Sequence, residues 1–506
     1  MKFLFVILGA ALALAGLGTY LSYPNVQSDV PVLYWVTDPN PARREQIDLF
    51  HQWLVDQGLT DERGEPMMEL RLDTNNTGMT KVLIQGVSGV GSDIVDIHAN
   101  ASMHFLERVG MLADVTEPAQ RLGFSPAQTY ATVEPMITVD GRQYTFPCNV
   151  FVRMQWVNEA TFAQHDQPLP PRRWSFDEFE RMGRQFVAAA NEGRSRRTVF
   201  YTDDVKLTVM FRSLGLSVFN ETLTRCTLDD ERFAAALRRK YQWIHEDHIL
   251  PSAAQRDSFA TEAGYGGAKF QLFASDDPDA DQYAMMRSGR YALIQLRQFG
   301  EMALTVVEPP HGGFPNAESG TRAAAVYAAG EHPELAHYFL AYLASEPYNM
   351  QIVRDGDALP PNPRYTETEA FRKPAAHPNE WGVHERFAKA IDEVGIGRVH
   401  SPFVLDSIVQ RALQRAEENV MNQRSAPEAA GRAVASEIND EIQRTLAEQP
   451  DLKQRHERLR ADQRRIERLR AAGEPVPAEL IRNPFHQRYY RARGWLVEAD
   501  QKEEAR

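Results

Sequence analysis

The chain has 506 residues, with 56 Lys and Arg against 69 Asp and Glu, a net charge of −13 and two cysteines. That length implies two or three packed units, and 43% hydrophobic residues are enough to build real cores. The acidic balance excludes a protein built to grip nucleic acid, and two cysteines exclude a disulfide-stapled scaffold and a four-cysteine zinc site.

Met1 and Lys2 precede an apolar run from Phe3 to Leu21, interrupted only by small residues and Thr19. As a helix this run would span about 28 Å, close to the hydrocarbon thickness of a bilayer. The next charged residue after Lys2 is Asp29, so positive charge sits on one side and the body is expected outside the cytoplasm. Residues 1–22 are therefore expected to form a signal or membrane-anchor segment. Ala13-Leu14-Ala15 is a weak cleavage site, and the full length suits an uncleaved anchor. The chain contains no second segment of comparable length and apolarity, which excludes a polytopic transporter.

Residues 30–36 (VPVLYWV) predict a buried strand, and the spacing of Ile47, Phe50, Trp53 and Leu54 predicts a helix from Ala42 to Gln57. Met68 to Leu72 follows as a strand, Thr80 to Val87 as a helix, Asp93 to His98 as a strand and Met103 to Val109 as a helix. Such alternation predicts a parallel sheet with helices on both faces, whose ligands bind just past strand carboxyl ends. That rule points to Thr37-Asp38 and to Asn100–Ser102. Asp140-Gly141 predicts a tight turn, and Val150 to Val157 a strand. Ser175 with Glu178 reads as a capping box. Asp229 to His248 reads as a long helix carrying Phe233, Leu237, Tyr241 and Ile244 on one stripe, and Arg290 to Leu296 as a strand. Glu334 to Ala344 and Leu405 to Val420 are expected helices.

From Pro450 the character changes. The segment 450–506 carries 14 Lys and Arg against 10 Asp and Glu, so the preceding residues hold a net −17. Leu452, Leu459 and Ile466 recur every seven residues, with Leu469 beyond, making a narrow apolar seam on a charged helix. Gly473 to Pro477 breaks it, and Phe485, Tyr489, Tyr490 and Trp495 follow. This reads either as a helix folded back on the body or as a docking or oligomerisation arm.

In this order the segments resemble the extracellular solute-binding proteins of ABC importers, the group that binds oligosaccharides. The resemblance runs from about Val30 to Glu448. Its carriers are VPVLYWVTDPNPARREQIDLFHQWL, LIQGVSGVGSDIVDIHANASMHFLERVGMLADVT, VDGRQYTFPCNVFVRMQWVNEATF, RRWSFDEFERMGRQF, MMRSGRYALIQLRQF and HPELAHYFLAYLASEPYNMQIVRDGDALPPN. It implies an α/β, two-lobed periplasmic-binding-protein fold (type II), each lobe a mixed sheet flanked by helices, with a helical C-terminal extension. The implied division gives one lobe residues 30–143 and 292–345, the other 144–291 and 346–449, and leaves 450–506 as the extension. The implied function is delivery of a sugar or oligosaccharide-like solute to an importer's membrane subunits by lobe closure, at the periplasmic side of the cytoplasmic membrane. The family often has glycines where this chain has Leu296 and Arg297, and the lipid-attachment cysteine of many members is absent.

By motif position, Asp38, Asn100, Phe151, Arg153, Arg297 and Phe299 match places where the family contacts ligand. Tyr265, ahead of Gly266-Gly267, lies in a loop that would let backbone approach the solute. Two arginines in such a set would favour a carboxylate or phosphate on the solute. Trp35, Trp156 and Trp243 occupy core-type positions. Asp277 to Asp281 reads as a solvated acidic loop, and His245 with His248 lacks a third metal ligand. Cys148 and Cys226 are expected as buried thiols. G-x-S-x-G, P-loop and H-E-x-x-H motifs are all missing from the chain, so no enzyme is expected. The competing readings are an exported carbohydrate-active enzyme on the same fold and a sensor module for a membrane partner.

Overall fold

A computed structural model describes residues 29–74, 79–98, 103–259, 267–277 and 279–498. The expected anchor, Asn100 and Tyr265 lie outside these residues. Among the described residues no helix is long and apolar enough to cross a membrane.

In chain order the strands are β1 (Val32–Val36), β2 (Glu69–Asp73), β3 (Ile94–His98), the short pair β4 (Thr138–Val139) and β5 (Arg142–Gln143), then β6 (Thr145–Val152) and β7 (Met154–Asn158). They continue as β8 (Val199–Thr202), β9 (Gln282–Ser288), β10 (Leu304–Val307), β11 (Ala317–Val326), β12 (Gly395–Ile396), β13 (Val476–Pro477) and β14 (Leu496–Val497). Two sheets organise the body. The first runs β12-β11-β3-β1-β2, with β6 on the other side of β11; the second runs β10-β7-β9-β8. β1 is parallel to β2 and β3, as the strand–helix alternation predicts, but β11 is antiparallel to β3 and to β6. Both sheets are thus mixed.

The first sheet is covered by the helices Ala42–Asp56, Pro333–Ala344 and Glu346–Asp355, whose aromatic residues meet over β1. Trp35 is fully buried, its ring 4.8 Å from Phe339, and Phe50, Tyr342 and Tyr348 complete the cluster. The second sheet carries a separate core of Trp174, Phe179, Tyr201 and Trp243. The helix Phe176–Ala190 starts on a full capping box of Ser175 and Glu178, and Asp230 caps Glu231–His245. Trp35, Trp156 and Trp243 are all core residues.

Two strand expectations are corrected. The segment 150–157 is two strands, because the backbone leaves the first sheet at Val152 and enters the second at Met154, with Arg153 alone between them. The change of sheet therefore falls one strand after the division at 143/144 read from the sequence. The helix Glu346–Asp355 likewise packs Tyr348 and Ile352 into the first lobe's core. Arg290 to Leu296 is helical, a 3-10 turn at Arg290–Ala292 running into Leu293–Leu296. Ala292, Leu293 and Leu296 are buried on one side of this turn, a pattern that short strands and short buried helices share.

The extension folds back. Leu452 and Leu459 of the helix Pro450–Ala471 pack against the second lobe's core, and Ile466 forms a small cluster with Val476, Leu480, Ile481 and Tyr490. Its anchor is the buried Glu221, which accepts hydrogen bonds from Tyr490, from Arg470 at 3.0 Å and from Gln463 at 2.8 Å. Phe485 enters the same core. At Gly215 the backbone has φ +83°, and a Cβ there would stand 2.5 Å from the Tyr489 hydroxyl, so the docking requires glycine. Cys148 and Cys226 are buried free thiols, in separate lobes.

Candidate functional site: the gap between the lobes

β6 and β11 form the ladder that carries the chain between sheets, and their crossing ends hold a cluster of charge. Arg153 pairs with Glu318 at 2.7 Å, and its Nε donates to the Tyr291 hydroxyl at 3.2 Å. Its guanidinium lies 4.8 Å from the centre of the Phe151 ring, which meets Tyr291 edge-on. Glu318 also accepts from Arg287 at 3.2 Å, and Arg287 stands 3.5 Å from Asp204. The buried Lys240 continues the alternation, 2.7 Å from both Asp204 and Glu417. Alternating charges thus run from the crossing residue into the second lobe.

A second network closes the carboxyl ends of β1 and β3. Arg322 donates to Asp96 at 2.8 Å, and Asp96 also accepts from the Trp35 indole at 2.7 Å, the Thr37 hydroxyl and the Cys148 thiol. Arg43 bridges Asp38 and Asp357, each at 2.8 Å, while Asn149 donates to Asp357 at 3.0 Å. Asp38 is the member at the rim, its side chain 22% exposed.

Burial alone would raise the carboxyls of Glu318 and Asp38. The charges of Arg153 and Arg287 outweigh it for Glu318, and those of Arg322 and Arg43 for Asp38, so each is held at about 2. Both folded values lie below the ordinary ones. Their stabilisation is therefore complete above about pH 4.5 and is lost as pH falls towards 2. Denaturant midpoints measured from pH 7 to pH 2 are expected to fall through that window. Glu318→Gln is expected to flatten part of the fall, and an unchanged profile would contradict this role.

The structure brings Phe151 and Arg153 together at the crossing and sets Asp38 at the end of β1. Arg297 lies elsewhere. Its Nε and Nη2 donate to Glu380 at 2.8 and 3.0 Å and its Nη1 to the Arg354 carbonyl at 2.8 Å, beside a cavity of about 250 Å³ shared with Glu301 and His377. The fork that a solute carboxylate would occupy is filled by Glu380. Phe299 is 45% exposed at the end of the same turn. Motif position does not point to Tyr291, Arg287 or Glu318, which the structure places in contact around the crossing. Tyr291 and Arg287 sit in the MMRSGRY stretch that the resemblance includes, whereas nothing around Glu318 marks it.

Two lobes, each with its own sheet and helices, joined by crossing strands and an apolar cluster that both sheets share, with polar groups at the crossing, define a two-lobed binding protein. Residues 69–350 match the family of bacterial extracellular solute-binding proteins, and the chain belongs to that family. A comparison with curated protein sequences gave no match. Among solved structures, an ABC substrate-binding protein from Listeria monocytogenes in complex with cycloalternan is similar, at 18% identity and TM-score 0.66 over 81% of this chain and 99% of that one. UgpB from Mycobacterium tuberculosis, in complex with glycerophosphocholine, shares 13% identity at TM-score 0.65 over 83% and 100% of the two chains. The maltose/maltodextrin-binding domain MalE from Bdellovibrio bacteriovorus, bound to maltotriose, shares 13% at TM-score 0.62 over 82% and 99%. At these identities the likeness is one of fold.

Proposed function

We propose that this protein is an extracytoplasmic receptor that captures a saccharide between its lobes and delivers it to the membrane subunits of an ABC importer. The observation that carries the reading is the crossing. The chain passes between the two sheets at Arg153 and again between β10 and β11, a hinge where a shared apolar cluster lies beneath the strands and polar groups of both lobes converge. Phe151, Arg153 and Asp38 are the sequence-derived contacts that this arrangement supports best, with Tyr291 added, since its ring and hydroxyl are held by Phe151 and Arg153. Asn100 and Tyr265 stay in the proposal on motif position, and Phe299 as an exposed aromatic. Arg297 is assigned to structure. The lobe boundary belongs at Arg153, and residues 3–21 would tether the receptor to the membrane. The relatives' bound saccharides favour a saccharide here, as does a gap that carries both guanidinium and carboxylate groups.

The test is unfolding of the full chain by heat across a panel of glucose, maltose, maltotriose and maltotetraose. A solute at a hundred times its dissociation constant is expected to stabilise the chain by about 2.7 kcal/mol, without products by chromatography. No shift with any member, or hydrolysis of one, would contradict the reading.

A further inference from the structure

The helix Pro450–Ala471 lies beyond the residues that match the family, yet it closes the gap between the lobes on one side. Leu452 and Leu459 seat it on the second lobe. On the other side Arg455 donates to both carboxylate oxygens of Asp140, in the β4–β5 turn of the first lobe, at 2.9 and 3.0 Å. Helix, first lobe and second lobe together line a half-open cavity of about 970 Å³, in which His104 of the first lobe faces His400 of the second with ring centres 6.4 Å apart. Arg398 lines the cavity two residues past Ile396 of β12, which pairs directly with Glu318 of β11, so the space adjoins the crossing cluster.

The extension's side of this cavity presents Arg458 and Arg482 together with Asp451 and Asp462, none of them in an ion pair among the described residues. Arg398 and Arg455 are already neutralised by Asp406 and Asp140. A bare anion entering here would meet Asp451 and Asp462, and a cation would meet Arg458 and Arg482. A neutral polyhydroxylated chain satisfies both sets, since each hydroxyl accepts from a guanidinium and donates to a carboxylate. Leu452 and Leu459 between them offer apolar surface to C–H faces. Arg458 and Asp462 stand one helical turn apart on the same face, spaced to hold adjacent hydroxyls of one sugar unit.

We propose that this helix is the third wall of the solute site, with Arg458 and Asp462 hydrogen-bonding the far unit of a neutral oligosaccharide that extends from the crossing cluster. The inference rests on the receptor reading and adds that selectivity for chain length resides outside the two lobes. Titration calorimetry of the full chain, Arg458→Ala and Asp462→Ala with maltose and maltotetraose tests it. Each variant is expected to weaken maltotetraose roughly tenfold or more while leaving maltose unchanged, since each loses one hydrogen bond to a charged group. Unchanged thermal midpoints would show that both variants fold. Equal losses for both sugars, or none for maltotetraose, would overturn the third wall and leave the receptor standing. Failure of the unmodified chain to bind either sugar would overturn both.

Discussion

Asp96→Ala is expected to destabilise the protein by about 3–5 kcal/mol, the usual result of stripping one partner from a buried ion pair. Arg322 is 4% exposed and Asp96 2%. Without Asp96 the guanidinium keeps the Thr37 and Tyr348 hydroxyls at 3.3 and 3.4 Å and a 3.8 Å approach to Asp357, which Arg43 already holds. The same substitution removes the acceptor for the buried Trp35 indole, so a second polar group is orphaned. Asp96→Asn retains an oxygen for Trp35 and is expected to cost less than Asp96→Ala. Urea unfolding measures both. A loss below about 1 kcal/mol for the alanine variant would mean that the network is not what closes the ends of β1 and β3.

Glu221→Ala is expected to cost about 2–4 kcal/mol, because it deprives the Tyr490 hydroxyl, Gln463 and Arg470 of one shared buried acceptor. Arg470 is half-exposed and its share is small. The distinguishing readout is spatial. Backbone amides across 450–497 are expected to exchange faster with solvent while those of β1, β3 and β11 keep their protection. Uniform loss of protection in both lobes would show that the extension is not a separable layer on the second lobe. In that case the third-wall assignment would lose its structural basis.

The sequence carries the fold where periodicity is strong and local. β1, β2 and β3 with their helices alternate cleanly, and the Ser175 capping box is legible from two residues. The break at Arg153 is invisible because VFVRMQWV is uniformly strand-like on both sides of it. RYALIQL reads as a strand because a buried helical turn shows the same apolar run. The site was harder. Motif position picks out Phe151 and Arg153, which the structure brings together, but Glu318 is joined to them only by pairing of β6 with β11, which no local pattern reports. Arg297 shows the converse. Its place in the motif suggested a ligand contact, yet Glu380, 83 residues on, takes the guanidinium. For the extension, the heptad seam correctly indicated one buried face, and the buried partner that fixes it, Glu221, lies in a loop with no signal of its own.

The central claim, that the lobes close on a saccharide held between them, is tested most directly by a distance across the gap. Both native thiols are fully buried, so spin labels attach only at introduced cysteines. Val55→Cys on the first lobe and Leu169→Cys on the second use exposed positions away from the crossing. With saturating maltotetraose the inter-label distance is expected to shift to a single shorter population. A distribution unchanged while calorimetry shows the sugar bound would contradict closure, and with it the account of Arg153 as the hinge.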